Sequence, residues 1–76
     1  MNVPELKIRL REEGLSPDVY SINGPLPVYE GLLLEESAGK WRILHFERGM
    51  RREMESFAEE EQACKRMYEL LMEYFG

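Results

Sequence analysis

Nucleophilic chemistry requires a serine, cysteine or threonine beside a base, and His45 and Cys64, each the only one of its kind among 76 residues, are the one pair worth testing for it. Their surroundings argue against a partnership. Cys64 falls on the apolar stripe of a helical stretch, where a small buried thiol behaves as a hydrophobe. His45 falls in an extended stretch, with no second histidine to share a metal ion. One cysteine and one histidine are too few soft ligands for a structural zinc site. The acid pairs Glu12-Glu13 and Glu35-Glu36 are adjacent in sequence, so on a helix or a strand their carboxylates diverge instead of converging on a substrate. Gly24, Gly31, Gly39 and Gly49 are isolated, and none belongs to a phosphate-cradling loop. These residues predict no enzyme, no cofactor and no metal.

Trp41 has two readings. A tryptophan buries a large apolar area and must place its N–H, which suits either the base of a core or an aromatic anchor at an interface. Met67 and Met72 likewise serve as core filler or as an adaptable groove.

The stretch that positions these groups is Trp41 to Gly49. On a pleated strand, Trp41, Ile43 and His45 point one way while Arg42, Leu44 and Phe46 point the other, so both faces are apolar. One face is expected to meet the chain's own helices, leaving the other to a partner. Before it, Val28–Glu36 reads as a strand around Leu32-Leu33-Leu34, and Gly39 supplies the positive φ of a three- to five-residue hairpin loop. Lys40–Glu47 returns as the central strand. Arg48-Gly49 makes a tight turn into Met50–Phe57, whose charges Arg51, Arg52, Glu53 and Glu55 suit an edge strand.

At the start, Pro4 fits the first turn of a helix, Val3, Leu6 and Leu10 share a stripe, Glu5 and Arg9 are spaced as an i, i+4 ion pair, and Gly14 ends it. Ser16 to Pro27 is dense in turn residues, with Val19, Tyr20 and Ile22 as anchors. At the end, Ala63, Met67, Leu70, Leu71 and Tyr74 recur at helical spacing, Glu59-Glu60-Glu61 complements the helix dipole, and Ser56 with Glu59 has capping-box spacing. The expected fold is α+β: helix, three-stranded antiparallel meander, helix, with both helices on one sheet face and residues 1–76 forming a single domain.

Charge narrows the partners. Fifteen acidic against ten basic side chains give a net charge of -5, which repels nucleic-acid phosphates and anionic membrane surfaces. No run reaches the roughly 18 apolar residues of a spanning helix. The charged start lacks a secretory block, and a lone thiol suits a reducing compartment, so a cytoplasmic location is expected. A chain this short buries only about 60% of its unfolded surface, which favours association as a supplement to the core.

Taken together, the short helix closed by Gly14, then Tyr20-Ser21-Ile22-Asn23-Gly24, Trp41 leading to Glu47-Arg48-Gly49, and Phe57 before Ala63-Cys64 on an acidic helix resemble a group of small acidic bacterial immunity proteins associated with polymorphic or contact-dependent toxins. Relatives in that group tend to carry tyrosines where this chain has Leu44 and His45. The resemblance implies a protein that neutralises a toxin by occlusion, with no chemistry of its own. The expected contact surface is a sheet face built from Glu35, Glu36, Trp41, His45 and Glu47, with Arg48 at its rim. The alternative is a homodimeric structural or regulatory domain whose open sheet face meets its own copy.

Overall fold

The structure, a computed structural model, describes residues 1–27 and 29–76. Helix α1 spans Val3–Glu12, and a 3₁₀ turn at Pro17–Val19 leads into strand β1, Tyr20–Ile22. Strands β2, Glu30–Ser37, β3, Lys40–Glu47, and β4, Met50–Phe57, follow, and helix α2, Glu60–Phe75, completes the order. No helix among the described residues is long and apolar enough to cross a membrane.

Each end of α1 is closed by its own sequence. The Asn2 carboxamide oxygen accepts from the Glu5 N–H at 2.9 Å while the Glu5 carboxylate accepts from the Asn2 N–H at 3.0 Å, a reciprocal cap that satisfies two otherwise orphaned donors. At the other end Gly14 takes φ +75°, and the Leu15 N–H reaches back to the Leu10 carbonyl at 3.1 Å. Glu5 is thereby committed to the cap, and Arg9 pairs with Glu13 at 3.9 Å in place of the expected Glu5–Arg9 pair. The Ser56–Glu59 box does not form either, because Ser56 is still in β4; Glu59 is the N-cap residue of α2 and makes no side-chain cap bond.

The fold is α+β, but the sheet is four-stranded and mixed, in the order β1-β2-β3-β4, where a three-stranded antiparallel meander was expected. Strand β1 adds in parallel to β2, Tyr20 opposite Leu32 and Ile22 opposite Leu34. Asn23 prolongs the pairing: its N–H donates to the Leu34 carbonyl at 2.7 Å, and its side-chain oxygen accepts from the Glu36 N–H at 2.8 Å. A parallel neighbour requires a connection that runs back along the sheet. Pro27, on that connection, lies against the face the helices leave free. A Cβ added at Gly31, which belongs to that face, would meet the Val19 carbonyl oxygen and stand 3.0 Å from the Cβ of buried Pro27. The expected start of β2 at Val28 lies outside the described residues.

The first hairpin is tighter than expected, and the second makes the tight turn expected of it. Ser37 pairs with Lys40, so only Ala38 and Gly39 form the turn, at φ 53° and 77°. Arg48 and Gly49, at 53° and 79°, repeat the arrangement between Glu47 and Met50. Two successive positive φ values give a two-residue turn whose twist matches that of the strands it joins.

Leu6 and Leu10 of α1 and Ala63, Cys64, Met67, Leu70 and Leu71 of α2 form one buried cluster with Leu32, Leu34 and Ile43, all three on the same side of the sheet. Both helices therefore cover that side. They are joined by polar ties as well: the Val3 N–H donates to the Glu60 carboxylate at 2.9 Å, and the Tyr68 hydroxyl donates to the Glu13 carboxylate at 2.7 Å while the Arg9 guanidinium lies over the Tyr68 ring at 4.9 Å. The hydrogen bond to Glu13 raises the Tyr68 pKa, since it favours the protonated phenol.

A bulge in β4 decides what its start presents. From Phe57 to Glu55 the strand is in one register with β3, and from Glu53 to Met50 in another, with the break between Ile43 and Leu44. Met54 is the extra residue, so Met54 packs on the core while neighbouring Glu55 also reaches α2, accepting from the Arg66 guanidinium at 2.8 Å. Beyond the bulge, the even-numbered residues Arg52 and Met50 share the helix side of the sheet with His45 and Glu47.

Candidate functional site

The six residues expected to share a contact surface are divided between both faces and both ends of the sheet. Glu35 lies opposite Arg42, and both occupy the face away from the helices. Glu36 and Trp41 oppose each other at the first hairpin on the helix side. There Trp41 is half-buried against the core and pairs with Phe57 of β4. The Glu36 carboxylate accepts from the Gly39 N–H at 2.8 Å and closes the turn. His45 and Glu47 share that side but stand at the opposite end, beside Arg48 in the second turn.

The face away from the helices is not bare. Leu33 is 2% exposed and Phe46 7% on that face, and Pro27 lies close to Gly31, the partner of Phe46 in the β2–β3 ladder. A homodimer through an open apolar face would have to bury residues that this chain already covers. The rim of the face is polar: Arg42 Nη1 is 3.6 Å from the Glu53 carboxylate, and Arg42 Nε is buried with no partner among the described residues.

The end at His45 assembles differently. The Ala38-Gly39 turn sets Glu30 opposite Glu47 and Leu32 opposite His45, which places Glu30, His45 and Glu47 together on the helix side. The Nε2 of His45 is 3.1 Å from a Glu30 carboxylate oxygen, with the imidazole 20% exposed and the Glu30 side chain 49%. Arg52, opposite His45 across β4, lines a groove with Glu30, His45, Met54, Tyr74 and Phe75. A second depression continues from it past Glu47, Arg48 and Met50. Tyr74 and Phe75, the last aromatic pair of α2, meet edge-on at 6.5 Å.

Exposed apolar side chains gather at the same end. Met50 is 76% exposed and Tyr74 54%, and Tyr29, directly before Glu30, is 82% exposed. Tyr74 belongs to the apolar stripe of α2 by spacing, yet it lies in the final turn, beyond the buried Leu70 and Leu71. Of the six expected residues, the fold thus brings together His45, Glu47 and Arg48. It adds Glu30, Met50, Arg52 and Tyr74, none of which was among the expected contact residues. Glu30 was recoverable: once the first turn is taken as two residues, counting back from Ser37 and Lys40 puts Glu30 against Glu47.

Cys64 plays no part in this end. Its thiol is fully buried, and burial, reinforced by the nearby Glu60 carboxylate, pushes its pKa up to about 11. The thiolate that nucleophilic or ligand chemistry needs is thereby suppressed. Compared with known families, characterised proteins and solved structures, the chain matches none of them.

Proposed function

We propose that the chain is a cytoplasmic protein-binding module of immunity or antitoxin type, which neutralises another polypeptide by covering a functional surface of it. The single observation that supports this reading is the concentration of exposed Met50, Tyr74 and Tyr29 at one end of the sheet, around His45, Glu47 and Arg48. Tyrosine, methionine and arginine are the side chains enriched where proteins meet, because they offer contact area or directional donors on an otherwise soluble surface. Occlusion requires shape and charge complementarity and no bond-making step. A net charge of -5 steers a basic partner toward the chain, with more effect on association rate than on affinity.

The test uses the product of a neighbouring gene, which this reading expects to encode a polypeptide toxin; neighbours that encode no toxin count against it. Titration calorimetry of the two purified proteins, together with the toxin's own activity, is expected to show tight binding and inhibition. The double variant Met50→Ala/Tyr74→Ala keeps the circular dichroism of the parent and loses at least about 100-fold in affinity, the scale of two interfacial anchors. Undiminished binding by that variant, or no binding by the parent, overturns the proposal.

A further inference from the structure

Three donor groups converge at the His45 end although the chain has a single histidine. One oxygen of Glu30, one oxygen of Glu47 and a ring nitrogen of His45 all lie within 4.8 Å of one another. We propose that Glu30, His45 and Glu47 form a binding site for a divalent transition-metal ion, with Zn²⁺ the best fit. The inference stands apart from the partner reading, since it concerns the isolated chain.

The donor set selects the class of ion. One imidazole nitrogen with two carboxylate oxygens suits Zn²⁺ and its borderline neighbours, and three protein ligands leave one tetrahedral position open to water. Ca²⁺ would take six to eight oxygens, and Mg²⁺ an octahedron made largely of water, so neither is matched. The backbone positions are set by the β2–β3 ladder, where Glu30 and Glu47 are direct partners and His45 opposes Leu32. The side chains need only a small closure. Bonds of about 2.0 Å put tetrahedral ligands about 3.3 Å apart. Glu30 and Glu47 are both exposed and able to change rotamer, while the half-buried His45 already holds one Glu30 oxygen at 3.1 Å. Beside the donors lies a groove of about 350 Å³ that Met54, Tyr74 and Phe75 also line.

Arg52 is the local competitor. It opposes His45, lines the same groove, and carries positive charge toward the two carboxylates. Its charge repels an incoming cation, so neutralising Arg52 favours the metal. Dependence on His45 is what distinguishes a site built from these residues from loose binding to surface acid, which the loss of Arg52 would also strengthen.

The experiment titrates the full chain with Co²⁺, followed by its visible absorption, and with Zn²⁺ by calorimetry, with Mg²⁺ and Ca²⁺ as comparison ions. One equivalent of Zn²⁺ or Co²⁺ is expected to bind saturably, with no comparable binding of Mg²⁺ or Ca²⁺. His45→Ala is expected to lower the affinity by more than about 100-fold and Glu47→Gln by at least about 10-fold. Arg52→Gln is expected to raise it a few-fold. Cys64→Ser is expected to change nothing, and the Co²⁺ spectrum to lack a thiolate charge-transfer band. Circular dichroism checks the fold of each variant, and Glu47→Gln, at an exposed position, carries the test if His45→Ala does not fold. No saturable binding below about 1 mM, unchanged affinity in the ligand variants, or loss of binding in Cys64→Ser overturns the inference.

Discussion

The first-hairpin end and the His45 end of the sheet carry similar residue types and use them in opposite ways. At the first hairpin the aromatic and the acid are consumed by the fold: Trp41 packs on the core and opposite Phe57, and the Glu36 carboxylate holds the Gly39 N–H. At the other end Glu30 and Glu47 face each other across a half-buried histidine, and Met50 and Tyr74 stay exposed. Helix α2 makes the difference. It buries Ala63, Cys64, Met67, Leu70 and Leu71 along its length, and its last turn carries Tyr74 beyond them onto the groove. The difference teaches that residue type is a poor guide to a binding role. What counts is whether the surrounding backbone and helices have already used the group.

Truncation is the largest test of that contrast. Trp41→Ala is expected to cost about 3 kcal/mol, near the low end for a tryptophan because the side chain is half-buried. Met50→Ala and Tyr74→Ala should each stay within about 0.5 kcal/mol, as exposed side chains do. Urea denaturation measures all three, and a Trp41→Ala variant as stable as its parent would move that residue back to the interface.

Alkaline titration comes next and concerns only the interior that α2 shares with the sheet. The buried Cys64 thiol titrates at about 11, against its ordinary 9.0 in the unfolded chain. A raised folded pKa contributes stability that is fully present below pH 9.0 and is lost as pH rises through about 11, because the unfolded chain gives up its proton first. Stability curves of the parent and of Cys64→Ala should therefore converge across that window. Parallel curves would show a thiol accessible to water.

The smallest effect compares the two turns directly. Ala38 and Arg48 both sit at φ 53°, a conformation that costs a side chain roughly 1–2 kcal/mol. Replacing either with glycine recovers part of this, for a net gain of about 0.5 kcal/mol once the added freedom of the unfolded chain is counted. Thermal denaturation should show the same gain at both turns. Partner affinity should fall only for Arg48→Gly, and an equal fall for Ala38→Gly would erase the distinction between the two ends.

Much of this fold was readable in the residues. Pro4, the Leu6–Leu10 stripe and Gly14 mark α1, and Lys40–Glu47 and Met50–Phe57 agree with β3 and β4 residue for residue. Of strand β1 the anchors Tyr20 and Ile22 were legible, but three residues are too few to show a period, and no local signal announces its parallel pairing with β2. The bulge at Met54 left one trace, in that Met54 and Phe57 are both apolar at a spacing no regular strand puts on one side. The candidate site was half visible. His45, Glu47 and Arg48 stood out as types, but they were grouped with Glu35, Glu36 and Trp41 by composition when register separates them.

Local chemistry determined the elements: caps, turn glycines and apolar periods act over a few residues, and the chain states them outright. Which charged and aromatic groups meet, and which remain free, was decided by strand register, the β4 bulge and the line of α2 across the sheet. Those depend on contacts between residues far apart in sequence, such as Glu30 with Glu47 or Arg52 with His45, so only the assembled tertiary structure could place them at one end.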